Sequence, residues 1–274
     1  AFKDNAREAL QDRNLRTALE RMNSGFVPRR QAAVERLPEF DELRTRSREL
    51  KDHVLAHLDY YLEAFERACT RMGGQVHWAP TAEDAVKAVL GICRRVDAKV
   101  VTKGKSMISE EIALNQAMEE AGLDVVETDL GEYIIQLRKE PPSHIIAPAV
   151  HLTKEQVEAD FRKTHTELPP ERLLNDAPLL VAEARQMLRR RFLEADVGIT
   201  GANFLVAETG TSIIVTNEGN GDLTQTLPRV HIVVASLEKI VPNLEDASTI
   251  LRVLARSATG QEFYSYKTFS TGPR

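Results

Sequence analysis

The chain has 274 residues, 42% of them hydrophobic and 28% charged, and a net charge of −5. That is enough for one large domain with a sizeable core, or for a domain plus an extension. The mild acidity excludes the basic field of a nucleic-acid binder, and no apolar run approaches the roughly 20 residues of a membrane span. Two cysteines, Cys69 and Cys93, exclude a disulfide scaffold and point to a reducing, cytoplasmic setting. Both fall four residues after an apolar helical position and read as small buried hydrophobes.

In chain order, residues 1–72 read as a helical arm. Leu50, Val54, Leu55, Leu58, Tyr61, Leu62 and Phe65 recur at three- and four-residue spacing, with balanced charge on the other face. Pro28 and Pro38 are expected to break the arm. The first 25 residues are charged throughout and do not read as a signal peptide. The start at Ala1 and the close at TGPR read as cut ends.

Gly73-Gly74 opens a new pattern, so residues 73–274 form the expected second unit. A short strand is expected over 75–78 and a helix over 81–96. Strands are then expected over Lys99–Thr102, Asp124–Glu127, Ser143–Ala147, Asp196–Thr200, Ser212–Thr216, His231–Ala235 and Glu262–Phe269. Helices fall over Met107–Ala121, Asp129–Arg138, Lys154–Lys163, Leu179–Glu194 and Asp246–Arg256. Such alternation implies an α/β fold with a mostly parallel sheet covered on both faces.

In such sheets ligands sit beyond the carboxyl ends of the strands. Two loops there are chemically loaded, and together they suggest a polar, anion-binding pocket. Thr102–Glu111 runs from a strand through a Gly turn into a helix start, with Lys103, Gly104, Lys105, Ser106 and Glu110. A P-loop would need Gly five residues before Gly104, where Lys99 stands. Plain helix capping by Ser106 or Ser109 explains the loop equally well. The second stretch, Gly198–Asp222, holds Thr200, Gly201, Asn203, Glu208, Thr209, Gly210 and Thr211, then Asn217, Glu218, Gly219 and Asn220. Glu208 is the acid in the middle of the run and the candidate catalytic carboxylate. Bare turns are the plainer alternative. Arg229 reads either as an anion clamp or as a surface salt bridge.

His53 and His57 lack the glutamate of a metalloprotease helix, His77 and His144 read as hydrogen-bonded side chains, and no metal site is expected. Arg189-Arg190-Arg191 reads as the wet face of a helix. No dinucleotide fingerprint is present.

The stretch GITGANFLVAETGTSIIVTNEGNGD, with LPRVHIVVASLEKIVP after it, resembles the lactate-utilisation (LUD) domain family. TKGKSMISEEIALN, LGEYIIQL and HIIAPAVHLTK resemble the iron–sulfur subunits within it, and the likeness runs through almost the whole chain. It implies a three-layer α/β/α sandwich related to sugar-phosphate isomerases and CoA-transferases. It also implies a part in oxidising L-lactate to pyruvate beside partner subunits. The 4Fe–4S clusters would lie in a ferredoxin-like module that this sequence does not contain, and no cofactor is expected within these residues. A small organic acid or phosphate-bearing ligand is the expected occupant of the pocket, and a homo-oligomer stays open. The alternative is a stand-alone transferase- or isomerase-like enzyme using Glu208.

Overall fold

The structure, a computed structural model, describes residues 2–144 and 147–273. The N-terminal arm comprises α1 (Phe2–Ala9), α2 (Arg13–Glu35), α3 (Phe40–Ala56) and α4 (Leu58–Arg71). Pro28 lies inside α2, which runs through it at the loss of one backbone hydrogen bond; Pro38 does fall in a break. The arm does not stand free. Val54 and Phe65 pack on Ala207 and Ile240, and Leu37, Phe40 and Leu43 pack on Val253. Leu55 points to solvent, because the chain kinks at His57 and shifts the apolar face.

No strand forms over residues 75–78; Val76 instead tucks beside the arm. Next come α5 (Ala82–Arg95), β1 (Val100–Gly104), α6 (Met107–Glu111), α7 (Leu114–Glu120), β2 (Asp124–Glu127) and α8 (Leu130–Arg138). The single helix expected over Met107–Ala121 is split at Ala113, whose φ is +52°. The strand expected over Ser143–Ala147 falls partly on residues 145–146, outside the described residues; Ser143, His144 and Ala147 lie in no strand. Then follow α9 (Lys154–Thr164), α10 (Ala177–Glu194), β3 (Val197–Thr200), β4 (Phe204–Val206) and β5 (Thr211–Thr216). The chain closes with α11 (Asn220–Thr226), β6 (Val230–Val233), β7 (Ile240–Val241), α12 (Leu244–Thr259) and β8 (Tyr266–Thr271).

The first sheet, β2-β1-β3-β6, is parallel throughout. On one face Val101, Val125, Val197, Ile199 and Ile232 meet Val89 and Cys93 of α5 and Leu114 and Met118 of α7. On the other, Val126 meets α8, α9 and α10, and α11 covers β1 and β3. This is the α/β/α layering expected from the alternation of strands and helices. Within the α8–α10 layer, buried His165 bridges the Tyr133 hydroxyl and Glu183, each at 2.8 Å, and Arg172 grips Glu183 at 2.6 and 2.8 Å.

A second sheet, β7-β4-β5-β8, is mixed and was not foreseen. Thr211–Thr216, read as a buried strand of a parallel sheet, belongs here and pairs antiparallel with β4 and β8. α12 lies on one face of this sheet. α11 sits between the two sheets. Gly198 of β3 lets it approach, since a β-carbon there would fall 1.8 Å from the Thr224 carbonyl oxygen. Asp222 and Gln225 of α11 hydrogen-bond Thr268 and Ser270 of β8 on its other side. No helix among the described residues is long and apolar enough to cross a membrane.

Candidate functional site

The carboxyl ends of β1, β2 and β3 converge where the two loaded stretches touch. A β-carbon on Gly201 would lie 2.8 Å from the Lys105 carbonyl oxygen. A β-carbon on Gly104 would lie 3.0 Å from Thr128 Oγ1, 3.5 Å from Thr224 Oγ1 and 4.0 Å from Asn220 Nδ2. Lys103 to Ser106 and the Thr200–Gly201 and Glu218–Asn220 segments are therefore one neighbourhood.

Within it the charges are already committed. Lys103, 1% exposed, donates to Glu127 Oε1 at 2.8 Å and to Ser109 Oγ at 3.0 Å. Asn115 supports the same carboxylate oxygen at 2.6 Å. Lys105 reaches Asp129 Oδ2 at 2.5 Å, from a backbone held at φ +44°. A non-glycine residue in that left-handed region is uncommon and is held there by its surroundings. Both lysines of the first loop are thus ion-paired, not free to meet an anion.

Around Lys105 stand three carboxyl groups. Burial drives the Glu132 carboxyl up to about 9, helped by its hydrogen bond to Asp129 and by that neighbour's charge. Burial alone would raise Asp129 too, but the Glu132 hydrogen bond and the Lys105 ammonium outweigh it and hold Asp129 below its usual range. The two form a proton-sharing pair in which Glu132 carries the proton and Asp129 the charge. Glu218, at the exposed rim, is raised by lost solvent and by Asp129, with Lys105 opposing. Burial would depress Lys105, yet Asp129, Glu218 and Glu132 together raise it. Glu110 is exposed by surface area but crowded at its carboxyl, and burial raises it against the pull of Lys103.

Asn220 is 7% exposed, and neither its Oδ1 nor its Nδ2 has a hydrogen-bond partner. Glu132 Oε2 is likewise buried without one. Buried unpaired amides are rare because each forfeits its hydration with no return.

Other expected residues are placed by ordinary structure. Ser106 caps α6, accepting from the Ser109 N–H at 3.2 Å. Thr200 bonds His231 at 2.8 Å. Asn203 accepts from the Val215 N–H, and Asn217 pairs with Gln261. Gly219 precedes α11, and Gly210 takes φ +69° in the β4–β5 turn. Thr209, Thr211 and Thr271 chain their hydroxyls at 2.7 and 2.6 Å beside that turn. Glu208 is exposed there, its N–H bonded to Pro242. β5 separates this turn from Thr216 and Asn220 by about 17 Å of extended chain. Glu208 therefore lies at the end of the second sheet remote from Lys105. Arg229 pairs with Asp196 at 3.3 Å. Both residues precede parallel strands, so they lie at the amino end of the sheet, away from the converging loops.

Reading the residues in sequence missed Thr128, Asp129, Glu132 and Thr224. Asp129 and Glu132 look like an N-cap and a first-turn acid, and Asp129 does cap α8 by accepting from Gly131. Surface concavities along α10 and between α12 and β8 lie elsewhere.

Comparison with known proteins adds a second line. The LUD domain matches residues 62–274, so the match takes in most of α4 of the arm. Lactate utilization protein B of Bacillus subtilis is 43% identical over the whole chain, and that of Macrococcus caseolyticus is 44% identical. A protein of Escherichia coli described as an uncharacterized electron transport protein is 41% identical. In each case the chain spans 57% of the relative's length. No solved structure matches it.

Proposed function

The chain belongs to the LUD-domain family, and from that premise we propose that it is the ligand-binding part of a larger protein working in lactate utilisation and electron transfer. In this reading the full-length protein acts in the cytoplasm, beside partner subunits, in a system that oxidises L-lactate to pyruvate. Its 4Fe–4S clusters would be held by residues outside this chain. The observation that carries the reading is identity above 40% along the entire chain with relatives bearing those names.

The residues of this chain do not fit such a cluster. Cys69 and Cys93 are free thiols on separate helices, and burial raises both. Among the described residues no group of His, Cys, Asp and Glu is arranged to hold a metal ion. A cluster normally takes four thiolates. What these residues supply is a polar cluster beyond β1 and β2, with a proton-sharing carboxyl pair beside an ammonium. Such a pair can hold or release one proton near a bound molecule.

Deleting the gene and restoring it at full length tests the role. Growth on L-lactate as sole carbon source is expected to fail in the deletion and return on restoration, while growth on pyruvate stays unchanged. Equal growth on L-lactate without the gene removes the reading.

A further inference from the structure

β8 is an outer strand of the second sheet and pairs with β5 alone among the described strands. In β5 the Ile213 carbonyl accepts from the Asn203 N–H on the β4 side. Main-chain groups alternate along a strand, so those of Ile214 turn to β8 and those of its neighbour Thr268 turn back to β5. The N–H and C=O groups of Lys267 and Phe269 therefore point outward along the free edge. The Thr268 and Ser270 side chains face α11, to which they are bonded. Those of Lys267 and Phe269 face the other way, into a groove of about 400 Å³ between β8 and α12.

The groove joins exposed aromatic surface to unpaired positive charge. Phe263 and Phe269 line it and remain 68% and 45% exposed. Arg256 and Lys267 line it too, and both donate to main-chain carbonyls, Arg256 to Ala33, Arg252 and Glu262 and Lys267 to Tyr264. Lys267 also lies over the Phe263 ring, 5.0 Å from its centre. Neither cation is ion-paired among the described residues, whereas Glu39 holds Arg252 and Arg36 holds Glu262. In a chain of net charge −5 this is a local excess of positive charge. A lysine on an edge strand can serve simply to turn other strands away. That role does not account for two aromatic rings left in water beside it, nor for the second unpaired cation.

An extended segment laid on a free edge gains main-chain hydrogen bonds and points every second side chain to the same face. Opposite charges facing each other across strands are favourable and like charges are not. The unpaired cations therefore select carboxylates. A second copy of this chain, paired edge to edge, does not supply them, because β8 contains no acidic residue. We propose that β8 is a docking edge for an extended segment of a partner protein. The segment joins the second sheet as a further strand, with an apolar residue against Phe269 and a carboxylate, two residues away, against Lys267. This edge lies apart from the charge cluster beyond β1 and β2, and the assignment is independent of the role in lactate utilisation.

Binding of two capped, fluorescent peptides to the full-length protein, read by anisotropy, tests it. One peptide carries valine and glutamate in turn on one face of the strand and threonine on the other; the second has lysine in place of each glutamate. The wild type is expected to bind the glutamate peptide saturably and the lysine peptide about tenfold more weakly. Lys267→Glu, at an exposed position, should bind the lysine peptide more tightly than the wild type does, a gain that loss of structure cannot produce. Phe269→Ala should weaken both peptides. Equal binding of the two peptides by the wild type, or no gain for the lysine peptide in Lys267→Glu, would overturn the docking edge. So would no binding at all, as when a second copy or another part of the same polypeptide already lies on β8.

Discussion

Removing the ammonium of Lys103 would strand the Glu127 carboxylate in a nearly dry interior, since its side chain is only 7% exposed. Breaking a buried pair from one side costs about 3–5 kcal/mol. Lys103→Met is therefore expected to lower the urea midpoint by that equivalent. Glu208→Gln, at an exposed turn, should change stability by no more than about 0.5 kcal/mol. Two carboxyls give the chain opposite pH limits. Glu132 binds its proton more tightly folded than unfolded, so its contribution is whole below the ordinary glutamate range and is lost as pH rises toward about 9. Glu183 is held below its usual range; burial opposes this, but hydrogen bonds from Arg172 and His165 prevail. Its contribution is present above the ordinary range and lost as pH falls. Glu132→Gln should accordingly gain on the wild type steadily between pH 5 and pH 9 in chemical denaturation. A variant that tracks the wild type across that range would show that the proton is not held as described.

Among the elements, the β4–β5 turn is where the arm and the second sheet meet. Gly210 has φ +69°, and a β-carbon there would sit 2.3 Å from the Cys69 backbone nitrogen of α4. Gly210→Ala thus combines backbone strain with a clash against main chain. It should cost more than about 1 kcal/mol, read as a lowered thermal midpoint. The sequence made much of the framework legible: the first sheet's β1, β2, β3 and β6 and most long helices follow from apolar periodicity and capping residues. α11 was not legible. Asn220-Gly221-Asp222 has turn composition, and what makes it helical is burial between two sheets, which no local pattern records. β4 and β7 escaped because strands of three and two residues carry no alternation to detect. The polar cluster was half legible. Gly104, Gly201 and Asn220 stood out by type, whereas Asp129 and Glu132 were hidden behind a helix start that they also form.

For the molecule as a whole, the arm is graded in its attachment. α1 has no buried residue, whereas α3 and α4 bury Phe40, Leu43, Val54, Phe65 and Ala68. Deleting residues 1–10 should leave the unfolding midpoint within about 0.5 kcal/mol of the full chain. Deletion through residue 71 should expose the apolar faces of Ala207 and Ile240 and yield an aggregating product by light scattering.

A helix of seven residues has no standing of its own in water, because its nucleation cost is never recovered over so few turns. α11 exists because two sheets close on it, so its amides are released only when those sheets part. In deuterium exchange the α11 amides beyond its first turn should therefore belong to the slowest class, opening only with global unfolding. The amides of Lys105 and Glu218, in the loops beside it, should exchange orders of magnitude sooner. The polar cluster then rests on a clamped helix beneath breathing loops, and any rearrangement of its charges proceeds on the timescale of those loops.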